Sequence, residues 1–277
     1  MTSPTESSSA LRAQLRVRAE AWAERQRLPH FKSLGKTPTV LFETAADGSL
    51  HGNFHPLSWR AIQSDPSWAK RLEKRHSQTM TLPVERRKTA RELDSSNSSD
   101  TLLMNCFCFP GAAERILAGL GLPPTTSAPE FGYHPRLELL SGGEDATEVD
   151  MRLGSLLVEA KLTERSFTTS PKTHVSRYRQ LNDVFSIDSL PGDESHYFSY
   201  QLIRNVLAAA SAGAHFLVLI DARRPDLRQE WEAVRAAIRD QSLAERCGLR
   251  TWQQVAAAAP EELRVFLDQK YGIVADP

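Results

Sequence analysis

The sequence predicts a mixed α/β fold with helical additions at both ends, and three stretches carry that prediction. TEVDMRLGSLLVEAKLTE (147–164) places Val, Leu and Met on both sides of Gly154-Ser155, as in a hairpin. YFSYQLIRNVLAAASAG (197–213) spaces its apolar residues for a helix and ends on Gly213, a C-terminal stop signal. HFLVLID (215–221) is a continuous apolar run, the signature of a strand buried on both faces.

The remaining elements follow in chain order. Residues 1–9 are Ser/Thr-rich and read as a disordered tail. ALRAQLRVRAEAWAERQRL (10–28) reads as a basic amphipathic helix that stops before Pro29. Residues 36–58 mix Pro, Gly and Asn with aromatics, as loops or short strands do. SWRAIQSDPSWAKRLEKRHSQ (58–78) gives two short helices, the second capped by Asp65 with Pro66 at its first position. DSSNSSD (94–100) offers several helix caps, and TLLMNCFCF (101–109) is apolar enough for a buried helix. Residues 123–129 read as a linker and PRLELLSG (135–142) as a strand, while 223–277 read as helical. The implied layout is a helical extension over 10–89, a core over 90–221 and a helical C-terminal part over 222–277 packed on that core.

The hairpin raises a chemical question. With Gly154-Ser155 as a type II′ turn, Met151 faces Val158, Asp150 faces Glu159 and Glu148 faces Lys161. One face then holds Val149, Met151, Leu153, Leu156, Val158, Ala160 and Leu162, all apolar. The other carries Glu148, Asp150, Arg152, Leu157, Glu159 and Lys161. Opposed side chains have Cβ atoms about 4.5–5.5 Å apart, and like charges so placed destabilise a sheet. Two carboxylates in that position share a proton or hold a cation. A hard ion such as Mg²⁺ suits two carboxylates, a backbone carbonyl and waters, with Lys161 one side chain along to hold a water or a phosphate oxygen. The alternative is a solvated outer face on which Glu148 pairs with Lys161 and Asp150 with Arg152.

Composition narrows the classes. The 277 residues are 40% hydrophobic and 25% charged, as in ordinary globular proteins. No stretch approaches the ~18 uninterrupted apolar residues of a membrane span. The N-terminus lacks the basic and apolar regions of a secretory signal. Three cysteines make no disulfide framework; Cys106 and Cys108 read as buried thiols, and a reducing cytoplasm is expected. Net charge is zero, but residues 60–91 hold nine Lys/Arg against three Asp/Glu, and 130–150 hold six acids against one Arg. A basic flank beside an acidic pocket suits a polyanion held around cations, although two solvated helix faces explain it equally.

The order helix, strand, hairpin with Asp150 and Glu159-Ala160-Lys161, helix, strand resembles the PD-(D/E)XK nuclease superfamily. Closer still is the similarity to bacterial restriction-endonuclease-like proteins, in which the lysine strand ends as in VEAKLTE. These also carry helices like SSNSSDTLLMNCF and YQLIRN. The resemblance spans roughly residues 90–221 and implies a restriction-endonuclease-like central sheet with an αβββαβ core. It implies Asp150, Glu159 and the Ala160 carbonyl as ligands of Mg²⁺ (Mn²⁺ in its place), with Lys161 orienting or helping to deprotonate the attacking water. It further suggests Gln201 on the later helix and Glu92 on the first as site residues. The superfamily's Pro-Asp pair reads here Val149-Asp150, a departure shared by relatives.

The expected function is therefore metal-dependent hydrolysis of phosphodiester bonds in DNA, with no membrane partner and a homodimer left open. Arg177 and Arg179, with His174 and Tyr178 in the same connection, are candidates for gripping phosphates or bases, as are Arg223 and Arg224 after the last core strand. Pairing of Arg223 and Arg224 with Asp221 and Asp226 is the competing explanation. The rival from another class is a non-catalytic nucleic-acid-binding or assembly module that keeps the fold; an enzyme acting on RNA is a third.

Overall fold

A computed structural model describes residues 4–275. Six helices matter below: α1 (Pro4–Gln26), α2 (Pro56–Ser64), α3 (Ser99–Phe107), α4 (Tyr200–Ala212), α5 (Pro225–Ala236) and α6 (Glu261–Tyr271). Five strands form the main sheet: β1 (Glu130–Tyr133), β2 (Val149–Leu153), β3 (Leu156–Ala160), β4 (His215–Ile220) and β5 (Cys247–Thr251). The spatial order is β5-β4-β3-β2-β1. β1, β2 and β3 run antiparallel to their neighbours, whereas β3, β4 and β5 are parallel.

The hairpin has the register its apolar pattern demands. Met151 opposes Val158, Arg152 opposes Leu157 and Leu153 opposes Leu156, which leaves Gly154-Ser155 as the turn. Gly154 has φ +59° and Ser155 is not in the positive-φ region, as a Gly-first type II′ turn requires. Met151, Val158 and Ala160 are fully buried. β2 alternates between buried and half-buried residues, but β3 is buried along its whole length. The reason is position: β3 is the middle strand, and α4 returns the chain from it to the parallel β4, covering the face that carries Leu157 and Glu159. The β3 half of that face is thus buried rather than solvated.

α4 forms where the apolar residues Leu202, Ile203, Val206, Leu207 and Ala209 recur at helical spacing, all buried. Gly213 ends it in the left-handed region (φ +59°), and the Ala214 amide closes back on the Ala209 carbonyl. The helix begins later than its sequence pattern suggests. His196–Phe198 pair with Thr169–Pro171 as a small ribbon, and Ser199, at φ +56°, breaks the chain before Tyr200.

Two other expectations are corrected. PRLELLSG is not a strand of the main sheet: Leu137–Glu138 pair only with Glu144–Asp145, because Gly142 and Gly143 at φ +81° and +82° fold the segment back on itself. The outer strand is instead EFGY, 130–133, where Glu130 meets Arg152 in a 2.6 Å ion pair. The C-terminal part is not wholly helical either, since Cys247–Thr251 pair in parallel with Phe216–Ile220 as a fifth strand.

The chain forms two compact units, Ser127–Thr251 in one and Ser8–Thr126 with residues from Trp252 onward in the other. The divisions expected at 90 and 222 therefore do not coincide with them; the fifth strand carries the sheet unit to 251. The expected tail lies outside the described residues at 1–3, and from Pro4 the chain is helical. In the second unit, Asp65 caps the helix begun by Pro66, accepting from Ser67 N at 2.8 Å. TLLMNCF lies in the fully buried α3, and Cys106 and Cys108 are free buried thiols. Among the described residues no helix is long and apolar enough to cross a membrane.

Candidate active site

Continuing the hairpin register one step sets Asp150 opposite Glu159, at the carboxyl end of β3. Asp150 Oδ2 accepts the Ala160 backbone N–H at 2.8 Å, so the acid of one strand is fastened to the next. Glu159 is 1% exposed, and three donors meet it. Lys161 Nζ lies 2.7 Å and Gln201 Nε2 3.1 Å from Oε1, while Asn205 Nδ2 lies 2.8 Å from Oε2. A buried carboxylate requires such compensation, because desolvation of an unpaired charge is prohibitive. Burial alone would lower the Lys161 pKa, but Glu159, Asp150 and Glu164 together raise it above the ordinary lysine value. Lys161 is therefore held as an ammonium, whose Nζ lies over the Phe167 ring, 5.6 Å from its centroid.

α4 supplies the other wall. Gln201 and Asn205 are four residues apart, hence on one helix face, and both reach Glu159. The start of α4 is fixed by strained backbone: Thr168 (φ +60°) and Ser199 (φ +56°) flank it, with Tyr200 N on Thr168 O and Gln201 N on Phe167 O, each 3.0 Å. Glu230 from α5 braces this corner, accepting from Ser199 Oγ at 2.7 Å and Phe167 N at 3.2 Å. Burial raises its pKa, and those two hydrogen bonds act against the rise.

A second layer holds Asn205. The fully buried Arg204 donates to Asn205 Oδ1 at 2.8 Å and to the Thr147 carbonyl, and its Nε lies 3.5 Å from Asp145. Asp145 also accepts from the Tyr178 hydroxyl, which lies 2.6 Å from Tyr200 Oη; His174 Nε2 is 3.2 Å from the latter. Burial would raise the Asp145 pKa, but Thr147, Tyr178 and Arg204 lower it below the usual value.

Not every sequence candidate joins this cluster. Arg177 is exposed and donates to His174, and Arg179 pairs with Glu138 at 3.0 Å on the surface. Tyr178 is 3% exposed and supports Asp145 rather than facing solvent. Arg223 chelates Asp221 through Nε at 2.7 Å and a terminal nitrogen at 2.6 Å. Arg224 is completely buried, bound to Asp226 and to the carbonyls of Leu162 and Arg165. It is a clamp on the loop after the lysine strand, with no face left for phosphate. Arg224→Ala is expected to cost about 3–5 kcal/mol, because Asp226 stays buried without its partner. Urea denaturation reads this directly, and a loss under ~1 kcal/mol would show the clamp to be dispensable. Glu92 lies in the other compact unit, where its carboxylate accepts the Ser77 amide at 3.0 Å.

Among the described residues no group of three or more His, Cys, Asp or Glu could hold a metal. A site here is restricted to the two carboxylates, a carbonyl and waters, the donor set of a hard, hydrated ion. The fit is tested by Gln201: its Oε1 is buried beside Glu159 with no hydrogen-bond partner among the described residues. An orphaned acceptor there suits the water shell such an ion keeps. Glu159 Oε1 has both lone-pair positions taken, whereas among the described residues Oε2 receives only Asn205.

Comparison with curated proteins and with solved structures finds no match. A family model described as "Restriction Endonuclease associating with ARP" matches residues 16–272. That match takes in the hairpin, α4 and β4 together, and the chain belongs to this restriction-endonuclease-like family.

Proposed function

We propose that the chain is a metal-dependent phosphodiester hydrolase acting on DNA. The observation that carries this reading is Glu159, a buried carboxylate opposite Asp150, ringed by Lys161, Gln201 and Asn205. Family membership supports nuclease-type chemistry. The sequence of three antiparallel strands, a helix and a parallel strand supports the superfamily core. Asp150, Glu159 and the Ala160 carbonyl would hold Mg²⁺, with Mn²⁺ able to replace it. A divalent ion so held lowers the pKa of water and neutralises charge developing on phosphorus oxygens.

The chain's own residues divide the remaining work. An ammonium donates and has no lone pair, so Lys161 as found here orients water or stabilises an anionic oxygen. Gln201 Oε1 accepts from a water or a substrate group, and Asn205 fixes the Glu159 carboxylate. Arg177, Arg179 and Arg223 would meet phosphates from the surface, each contributing position rather than sequence reading. Arg224 is left out of this role. Incubation of supercoiled plasmid and single-stranded DNA with the protein and Mg²⁺ or Mn²⁺ should give cleavage that chelation stops. DNA binding without cleavage under any divalent ion would instead favour the non-catalytic module.

A further inference from the structure

The second compact unit holds a cleft of about 230 Å³ that the hydrolase reading does not use. It is smaller than the about 300–1,000 Å³ of sites for drug-sized ligands, so it suits a single ring system. Its wall is aromatic. The Phe266 ring meets Trp22 edge-on, with centroids 5.5 Å apart, and His55 at 5.4 Å and 87°. The polarity is confined to a few groups, and most ring nitrogens nearby are already engaged. Trp22 Nε1 donates to Gly52 O at 3.2 Å, and both His51 nitrogens are taken, by Asn53 N and Asp94.

His55 differs. Its Nδ1 accepts the Leu57 amide at 3.2 Å, which caps α2 and leaves the proton of the neutral ring on Nε2. Among the described residues no acceptor meets that Nε2–H, and the ring lines the cleft. Burial lowers the His55 pKa, which favours the neutral ring, with Glu262 opposing and Arg60 reinforcing the shift. The cleft is also lined by Gln26, Glu262 and Gln269, exposed residues that carry one carboxylate and two amides. A donor, an anionic acceptor and amides offering both, set beside aromatic rings, are what a nucleobase requires.

We propose that this cleft is a nucleobase site, taking one purine or pyrimidine ring against Trp22, Phe266 and His55 with its polar edge met by His55 Nε2–H, Glu262 and Gln269. The ring belongs either to a free nucleotide or to a base unstacked from nucleic acid, and the site stands independently of the hydrolase reading.

Titration of the full chain with the nucleoside 5′-monophosphates, and separately with short single-stranded DNA and the same sequence as duplex, tests this. Saturation-transfer NMR reports which ligand protons touch the protein, and calorimetry gives the affinity. Saturable binding with base protons receiving most of the transfer is expected. Response to mononucleotides identifies free nucleotide as a sufficient source, and response to single strands alone identifies an unstacked base. Glu262→Gln and Gln269→Ala, both exposed and therefore tolerated by the fold, should each weaken binding about tenfold. The proposal is overturned if neither mononucleotides nor single strands saturate. It is equally overturned if phenol or indole binds as tightly as any base and the two variants change nothing, since the edge would then not be read.

Discussion

Asp150→Ala is expected to abolish Mg²⁺ and Mn²⁺ binding and, with it, all cleavage. The remaining carboxylate, Glu159, already receives three donors, and a single partly used carboxylate does not retain a strongly hydrated ion. Asp150 Oδ2 also accepts the Ala160 amide, so alanine removes a strand-to-strand fastening as well as a charge. Asp150→Asn separates the two effects, because it keeps an acceptor for that amide and loses only the charge. Calorimetry should show no divalent binding in either variant, with the asparagine protein close to wild type in stability. Equal affinity in wild type and Asp150→Asn would remove Asp150 from the site.

The second large effect concerns Lys161. Removing its ammonium should lower cleavage by about 10²–10⁴-fold, the usual worth of one acid/base or electrostatic contact at a reacting centre. Alanine is the wrong probe by itself, since it leaves the buried Glu159 without its 2.7 Å ion partner and destabilises the fold. Lys161→Gln keeps a donor for Glu159 while deleting the charge. Single-turnover cleavage should fall by the stated range while the urea midpoint moves little. A fall below tenfold at unchanged stability would make Lys161 a structural counter-ion of Glu159 and nothing more.

The hairpin was legible because its side chains alternate strictly: an all-apolar row on one face fixes the register, and a one-residue slip would exchange the two faces. Asp150, Glu159 and Lys161 follow from that register alone. Asn205 carries no motif of its own in the sequence, although its i,i+4 spacing from Gln201 puts both on one face. Which face of α4 met Glu159 depended on the crossover from β3 to β4, and no local pattern encodes it. Arg204 and Asp145 were equally hidden, and Tyr178 showed only as a phosphate or base candidate, since a buried polar network is assembled from three separate segments. Cys247–Thr251 lacked a strand signature because an edge strand needs few apolar residues, and CGLRT has only Cys247 and Leu249. Arg224 stands in the sequence as a phosphate candidate because its neighbours show Asp226 nearby but not the loop carbonyls that enclose it.

The central claim is that the acid pair at the end of the hairpin holds a divalent ion. Anomalous diffraction from crystals grown in Mn²⁺ addresses it most directly. The account predicts one anomalous peak within about 2.0–2.6 Å of Asp150, Glu159 and Ala160 oxygens, with Gln201 Oε1 hydrogen-bonded to a water of that ion. A map with no peak there at saturating Mn²⁺, and with Lys161 still seated on Glu159 and Gln201 Oε1 still unpartnered, would contradict it.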